Sequence, residues 1–259
     1  MNDDLLVNAE GGIARVTFNR PHARNALTFA MYDRLAEFCA EAGRDASLRA
    51  MIVTGAGGDA FAAGTDIAQF RAFAAPEDAL AYEERIDWVV DALEQCPIPT
   101  IAALAGACTG AGTALAAACD IRIAAANLRF GIPIARTLGN CLSMGNLARL
   151  SALIGPARVK EIIFTARLVE AQEAKDAGLI SEILPDHTAL LERADALART
   201  IAANAPLTLR ATKEGVRRLR ARHEGDADKD LILLCYLSQD FREGMDAFLA
   251  KRAPIWRGI

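Results

Sequence analysis

The spacing of apolar positions changes along the chain and predicts where strands and helices lie. Residues 5–7 and 13–18 alternate apolar and polar side chains around two glycines, which predicts a β-hairpin. Met31 and Leu35 then fall at helical spacing behind Thr28, a residue type suited to an N-cap. A helix is therefore predicted to begin just after that threonine and to end near residue 43.

Short apolar runs then alternate with helical segments. Strand-like runs occur at 50–55, 100–104, 121–125 and 128–131, and a long helix is predicted over about 77–95. This alternation predicts an α/β fold in which crossover connections join parallel strands.

The remainder of the chain reads as mostly helical. The predicted segments are helices at 145–153, 157–165, 171–177, 186–204, from 206 onward, at 231–237 and at 241–248, with a brief strand at 180–184. The apolar stripes of the C-terminal helices fit either an intramolecular core or a surface for another subunit, and the pattern alone leaves both open.

Composition excludes several classes of protein. Hydrophobic residues make up 53% of the 259 residues, which is typical of a globular chain, and the net charge of −4 argues against general nucleic-acid binding. The sequence has no uninterrupted apolar run of about 18 residues, and its acidic start, M-N-D-D-L-L, lacks the blocks of a secretory signal. We therefore expect a cytoplasmic protein without a membrane span.

The six cysteines lack paired C-x-x-C spacing and mostly sit in apolar surroundings. They indicate neither a zinc site nor a disulfide framework, and we predict no metal site.

The stretch 102–120 is rich in glycine and alanine. The predicted strand at 100–104 runs into Gly106, Gly110 and Gly112 and then into a helix of alanines, so a helix should open after a permissive turn. The first turn of a helix carries unpaired N–H groups and partial positive charge, which can hold an oxygen that becomes negative during a reaction. The residues alone leave open whether this turn is an oxyanion hole or a helix packed closely on a sheet.

Six segments, in chain order, carry a family resemblance. They are N-R-P-H-A-R-N-A-L at 19–27, A-F-A-A-G-T-D-I at 60–67, G-A-C-T-G-A-G-T-A-L-A-A-A-C-D-I at 106–121, F-G-I-P at 130–133, A-K-D-A-G-L-I at 174–180 and D-F-R-E-G-M-D-A-F-L-A-K-R-A-P-I-W at 240–256. On these segments, which span most of the chain, the sequence resembles the crotonase family, the enoyl-CoA hydratase and isomerase superfamily. The resemblance favours the oxyanion-hole interpretation of the glycine turn.

The resemblance implies an α/β fold, a crotonase-like spiral of ββα units followed by a helical C-terminal trimerisation region. It implies an acyl-CoA-binding core over 1–200 and an oligomerisation region over 201–259, assembled as a homotrimer or a dimer of trimers. The implied substrate is a coenzyme A thioester, with no permanently bound cofactor.

The resemblance also implies roles for individual residues. The thioester oxygen would be held by the backbone N–H groups of Thr65 and Ala111, the latter standing where the family usually has glycine. Arg24 and Lys251 would neutralise coenzyme A phosphates, with a solvated surface charge as the alternative for each. The implied cradle for the adenine end consists of Ala62, Ala63, Asp66 and Ile67.

Two family positions depart from the hydratase pattern. Ala114 and Ile134 stand where hydratases of the family carry glutamates, and neither side chain can carry a proton. Ordinary hydration by the paired-glutamate route is therefore not expected, nor is isomerisation through the second glutamate.

Other side chains near the expected acyl pocket are candidates to replace them. They are Arg136, Asn140, Cys141, Ser143, Thr109 and Thr113, for each of which a structural or pocket-lining role is the alternative. Arg136 could bind a substrate carboxylate, as in a malonyl-type thioester. Cys141 would need a favoured thiolate, and no histidine is close to it in sequence.

Three hypotheses follow. The chain is an acyl-CoA lyase, hydratase or isomerase with an unusual acid/base group, a decarboxylase of a carboxylated acyl-CoA, or a non-catalytic acyl-CoA-binding subunit. Mass spectrometry of an acyl-CoA pool incubated with the protein would separate them.

Overall fold

A computed structural model describes residues 4–72, 76–137, 139–220, 238–240, 243, 247, 250, 252 and 254–259. Its strands are β1 (Leu5–Glu10), β2 (Ile13–Phe18), β3 (Ala50–Gly55), β4 (Ala60–Ala62), β5 (Thr100–Leu104), β6 (Ala107–Thr109), β7 (Ile121–Ala125), β8 (Arg129–Gly131), β9 (Val169–Glu170) and β10 (Ile183–Leu184). Its α-helices are α1 (Phe29–Ala42), α2 (Pro76–Glu94), α3 (Ala111–Ala118), α4 (Ile134–Thr137), α5 (Met144–Ile154), α6 (Pro156–Thr165), α7 (Ala171–Asp176), α8 (His187–Ala202) and α9 (Pro206–Arg220). Short 3-10 helices occupy Pro21–Ala23 and Ile67–Ala72.

The strands form two sheets. The larger has the order β1-β2-β3-β5-β7-β10 and is parallel from β2 onward, and the smaller has the order β4-β6-β8-β9. The units β3-β4-α2, β5-β6-α3 and β7-β8-α4 each place their first strand in the larger sheet and their second strand in the smaller one. The predicted α/β spiral of ββα units is thus confirmed.

Both faces of the larger sheet are covered. On one face, Ile52, Ile101 and Ile123 pack with Leu190 and Ala194 of α8. The opposite face belongs to the main core, to which α1, α2 and α3 contribute. Strands buried on both faces read as continuous apolar runs, which is why their sequences could be located without alternation.

Most predicted elements are confirmed within a few residues. Thr28 caps α1, where its hydroxyl accepts a hydrogen bond from the Met31 N–H at 3.3 Å, and Asp186 caps α8 in the same way through the Ala189 N–H at 2.9 Å. The predicted strand at 180–184 is shorter than expected, since only Ile183–Leu184 pairs.

The pattern located β8 of the small sheet but missed its other strands, β4, β6 and β9, and it also missed helix α4. Strands β4 and β6 are three residues long and built of alanine, cysteine, threonine and phenylalanine, so they show no alternation and read as parts of glycine-rich loops. The helix predicted at 231–237 lies outside the described residues, as does most of that at 241–248. The trimerisation region therefore stays a prediction.

Helix α9 is tied to the core by ion pairs. Lys213 Nζ lies 2.8 Å from Asp120 Oδ2, and Arg220 Nη2 lies 2.5 Å from Glu94 Oε2 on α2. Of the helices that the structure describes, none combines the length and the hydropathy needed to cross a membrane.

The buried side chain of Arg122, on β7, caps the C-terminal end of α3. Its Nη1 donates to the carbonyl oxygens of Cys119 at 2.5 Å and Ala116 at 3.3 Å, and its Nε donates to the Leu179 carbonyl at 2.8 Å. These carbonyls would otherwise be buried without donors. The guanidinium therefore holds the helix, the sheet and the segment after α7 together.

We expect Arg122→Met to lower the free energy of unfolding by roughly 2–4 kcal/mol, because buried carbonyl oxygens lose their donor. Arg193→Met is the matched control, since the Arg193 side chain pairs with Glu182 near the surface and a surface ion pair adds little to stability. Urea unfolding followed by circular dichroism measures both. Equal losses in the two variants would contradict this role of Arg122.

Candidate functional site

Three backbone hydrogen bonds join the first loop to the loop after β4. The Ala63 N–H donates to the Arg24 carbonyl at 3.1 Å, the Leu27 N–H donates to the Gly64 carbonyl at 2.8 Å, and the Asp66 N–H donates to the Leu27 carbonyl at 2.9 Å. The two loops thus run side by side, and the segments 19–27 and 60–67 form one structural unit.

Two polar side chains hold this unit in place. Asn25 is fully buried; its Nδ2 donates to the carbonyls of Ala56 at 3.0 Å and Ala60 at 2.7 Å, and its Oδ1 accepts from the Arg20 N–H at 2.9 Å. The Arg20 guanidinium lies 2.9 Å from Asp66 Oδ2. Hydrogen bonds from the Ala68 N–H and from Arg20 lower the pKa of the Asp66 carboxyl.

The loop after β4 meets the turn before α3 at a pair of glycines. Gly64 has φ +100° and Gly110 has φ +55°, conformations that residues with a Cβ rarely adopt. A Cβ built on Gly110 would lie 3.4 Å from the Gly64 Cα, and one built on Gly64 would lie 3.9 Å from the Ala111 nitrogen. The residues that follow the two glycines, Thr65 and Ala111, are therefore neighbours in space.

Both of these residues have an N–H that is not used by the described part of the chain. Thr65 pairs with Leu27 as a parallel bridge, whose hydrogen bonds use the Gly64 carbonyl and the Asp66 N–H, so the Thr65 N–H points away from Leu27. Ala111 is the first residue of α3, where no earlier helical carbonyl is available. Neither N–H donates to any residue that the structure describes.

The Thr65 side chain is fixed between two tyrosines. Its Oγ1 lies 2.7 Å from the Tyr32 hydroxyl of α1 and 2.8 Å from the Tyr82 hydroxyl of α2. Burial raises the pKa of both phenols, so both stay protonated at neutral pH. The three hydroxyls join α1, α2 and the loop after β4 at the point where the Thr65 N–H is presented.

A second group of polar side chains joins α2 to the start of α5. Ser143 caps α5, and its Oγ donates to Asp87 Oδ1 at 2.6 Å, an oxygen that also accepts from Asn146 Nδ2 at 3.2 Å. Buried Arg149 then contacts Asn146 and also Glu94 at the end of α2. The segment before α5 is therefore anchored along one face of α2.

Glu83 lies on that face of α2, one turn before Asp87. It is only partly exposed and forms no hydrogen bond or ion pair with the residues that the structure describes. Burial, and next the negative charge of Asp87, raise the pKa of the Glu83 carboxyl. The site thus contains an unpaired carboxyl group that sequence reasoning did not select.

The residues predicted to bind coenzyme A fall on the joined loops, except for one. Arg24 is exposed in a left-handed conformation with φ +51°, Ala62 is buried on β4, and Ala63 and Asp66 are partly buried. Ile67 is 60% exposed. Lys251 lies outside the described residues.

The predicted acyl-pocket residues lie on separate elements. Arg136 is exposed on α4, and Cys141 is exposed in the segment that leads to α5. Ser143 acts as a helix cap in contact with Asp87. Ala114 on α3 and Ile134 at the start of α4 are both buried, and both belong to the main core.

Sequence reasoning missed Arg20, Asn25, Tyr32, Tyr82 and Glu83. Arg20 and Asn25 lie inside a quoted motif, but nothing in the sequence indicates which atoms they contact. The two tyrosines are 50 positions apart in the sequence, and both contact Thr65. Within the described residues, no cluster of histidine, cysteine, aspartate or glutamate is arranged to hold a metal ion.

Comparisons with known proteins agree with this architecture. The family model described as Enoyl-CoA hydratase/isomerase matches residues 8–258. A short-chain-enoyl-CoA hydratase of Clostridium acetobutylicum is 33% identical over 96% of both chains. A 2,3-dehydroadipyl-CoA hydratase of Escherichia coli is 33% identical over 98% of this chain and 99% of its own.

Solved structures give the same result. An enoyl-CoA hydratase/carnithine racemase from Magnetospirillum magneticum superposes with a TM-score of 0.91 and 37% identity, covering 99% of this chain and 96% of that one. An enoyl-CoA hydratase from Bacillus anthracis superposes with a TM-score of 0.88 and 32% identity, covering 99% of this chain and all of that one, 100%.

We expect Glu83→Gln to raise the melting temperature at pH 7. Because the pKa of Glu83 is raised above its ordinary value of 4.5, the folded chain disfavours the ionised carboxyl more than the unfolded chain does. That destabilisation is full at pH values above the folded pKa and vanishes below about pH 4. Scanning calorimetry from pH 4 to 8 measures the difference, which should close as the pH falls.

The matched control is Glu84→Gln, since Glu84 is the next residue and is exposed. The groups facing Glu83 are Asp87 and the phenols of Tyr32 and Tyr82, and the phenols do not titrate in this range. A melting temperature for Glu83→Gln equal to that of wild type at pH 7 would contradict the expectation.

Proposed function

This chain belongs to the enoyl-CoA hydratase/isomerase family, and from that premise we propose that it binds acyl-CoA thioesters and polarises their carbonyl group. The Thr65 and Ala111 N–H groups are the proposed oxyanion hole. The observation that carries this proposal is the approach of Gly64 to Gly110, which makes neighbours of two residues whose N–H groups have no described acceptor.

Two donors aimed at one carbonyl lower the energy of the charge that develops on its oxygen. Each such donor contributes about 3–4 kcal/mol to transition-state stabilisation in other enzymes. At the start of α3 the partial positive charge of the helix adds to this effect. The methyl group of Ala111 leaves its N–H unchanged.

The chemistry that this site supports is formation of a thioester enolate. Ala114 and Ile134 supply no acid/base group at the two positions where family hydratases have glutamate. We therefore favour a lyase or isomerase reaction that passes through the enolate over hydration by paired glutamates. The acyl chain is left unspecified.

The coenzyme A moiety is proposed to lie along the joined loops. Arg24 is exposed there and contributes a positive charge toward the phosphates, while Ala62, Ala63, Asp66 and Ile67 line the adenine end. Lys251 is proposed to add a second positive charge from a neighbouring subunit.

Assembly as a homotrimer, or as a dimer of trimers, is part of the proposal. Val216 and Leu219 on α9 are 63% and 81% exposed, which supports burial of this helix against another copy. The division into a core over 1–200 and an oligomerisation region over 201–259 is proposed on the same basis.

We expect Gly110→Ala to abolish polarisation of the bound carbonyl. A methyl group there would lie 3.4 Å from the Gly64 Cα and would strain a backbone held at φ +55°. The Thr65 and Ala111 N–H groups would then no longer point at the same carbonyl oxygen. In wild type, the ¹³C resonance of a butyryl-CoA thioester carbonyl should move downfield on binding, because hydrogen-bond donors deshield that carbon. In the variant the shift should be lost.

Gly178→Ala is the matched control. Gly178 has φ +76° and open space around its Cβ position, so this variant carries similar backbone strain at the end of α7, outside the proposed site. It should keep the downfield shift. Wild-type protein that fails to bind the thioester, or binds it without a shift, would contradict the proposed function.

A second candidate function is decarboxylation of a malonyl-type thioester. The observation that favours it is Arg136, a cation that follows the segment 130–133 on α4, is exposed, and forms no ion pair with the described residues. A guanidinium there would bind a substrate carboxylate bidentately, and the oxyanion hole would stabilise the enolate left after loss of carbon dioxide.

We expect Arg136→Ala to lower the rate of carbon dioxide release from methylmalonyl- or malonyl-CoA by roughly 10- to 100-fold, because the variant loses a hydrogen bond between two charged groups and this is the usual size of that loss. Arg129→Ala is the control, since Arg129 pairs with Glu170 at the surface. Equal turnover in wild type and Arg136→Ala would exclude this role. Tight binding without any product from an acyl-CoA pool would instead favour a non-catalytic subunit.

A further inference from the structure

The face of α2 that carries Glu83 borders two parts of the proposed site. Asp87, one turn later on the same face, is bonded to Ser143 and Asn146 at the start of α5. Residues four apart on a helix lie next to each other. Glu83 is therefore directed toward the segment that precedes α5, the expected wall of the acyl pocket.

The residue before Glu83 contacts the proposed oxyanion loop. The Tyr82 hydroxyl lies 2.8 Å from Thr65 Oγ1, and Thr65 supplies one of the two proposed N–H donors. The negative charge of Glu83 contributes to the raised pKa of both Tyr82 and Tyr32, which agrees with a carboxyl group close to this hydroxyl cluster. Glu83 thus follows directly a residue that contacts the proposed oxyanion loop and lies one helical turn before a residue that contacts the expected wall of the acyl pocket.

The other charged groups of this part of α2 are already engaged or exposed. Asp87 accepts two hydrogen bonds, Arg85 pairs with Asp33 of α1, and Glu84 is exposed. Glu83 alone among these residues combines partial burial with a carboxyl that bonds to no described residue. Burying a carboxyl without partners lowers stability, and titratable groups in such environments cluster at functional sites.

We propose that Glu83 is the acid/base group of this site, replacing the glutamates that are absent at Ala114 and Ile134. This proposal rests on the proposed function, because it needs a thioester held at the Thr65 and Ala111 N–H groups. It adds a residue from α2, whereas the absent glutamates belong to α3 and to the start of α4.

The proposed step is a reversible proton transfer. A Glu83 carboxylate oxygen forms a bond to a proton on the carbon next to the thioester carbonyl, and the C–H electron pair becomes the carbon–carbon double bond of the enolate. The carbonyl π pair moves onto the oxygen held by the two N–H groups. Return of the proton from neutral Glu83 restores the thioester, and its delivery to a different carbon of an unsaturated chain gives an isomer. A raised pKa suits a group that must both accept and donate a proton.

The test follows exchange of the C2 protons of butyryl-CoA in heavy water by mass spectrometry. Wild type is expected to exchange them, and Glu83→Gln is expected to do so at least ~100-fold more slowly, with Glu83→Asp intermediate. Glu84→Gln should match wild type. Binding of butyryl-CoA, measured by calorimetry and by the ¹³C carbonyl shift, should be unchanged in all three variants.

The readouts separate the two proposals. Loss of exchange with binding retained supports Glu83 as the acid/base group. Equal exchange in wild type and Glu83→Gln overturns this assignment, as does a wild type that binds and polarises the thioester without any exchange, and both leave the proposed function standing. Wild-type protein without affinity for butyryl-CoA overturns the proposed function itself.

Discussion

Close approach of two backbone segments is the constraint on which the rest of this structure depends. The loop after β4 and the turn before α3 meet at Gly64 and Gly110, both held at positive φ, a conformation that strains residues with a Cβ. The hydrogen bonds that fix this approach come from the first loop, through Leu27 and Asn25, and from the Tyr32 hydroxyl below Thr65. The ββα spiral supplies the frame, because consecutive turns place β4 and β6 side by side in the small sheet.

The residues around the Gly64–Gly110 contact are of two kinds, those whose side chains have hydrogen-bond partners and those with polar groups that have none among the described residues. The side chains of Asn25, Arg20 and Thr65 are engaged by named partners, so they fix geometry. Glu83 and the N–H groups of Thr65 and Ala111 have none among the described residues. Unsatisfied groups beside a satisfied shell are typical of binding sites, where a ligand completes the hydrogen bonding that the fold leaves open.

An enzyme of this family without the two hydratase glutamates would still stabilise an enolate through its backbone N–H donors. It would need another acid/base group to provide a route for the proton. The proposed role of Glu83 supplies that route from α2, the helix whose Tyr82 contacts Thr65 of the proposed oxyanion hole and whose Asp87 contacts Ser143 at the expected wall of the acyl pocket. The same placement explains why an ionised Glu83 carboxylate is expected to lower the stability of the folded chain. Partial burial and the nearby charge of Asp87 both disfavour its ionised form.

The sequence by itself determined the elements whose signals are local. The hairpin, α1 with its Thr28 cap, the continuous apolar strands of the larger sheet and the described helices between residues 143 and 220 follow from periodicity and capping, and the family follows from short motifs in order. Tertiary structure alone decided β4 and β6, which are too short to show a period and exist because each pairs with the next turn of the spiral. It also decided the Tyr32–Thr65–Tyr82 contact and the position of Glu83. Contacts between residues that are distant in sequence do not change the spacing of apolar residues around either partner, so the sequence pattern does not reveal them.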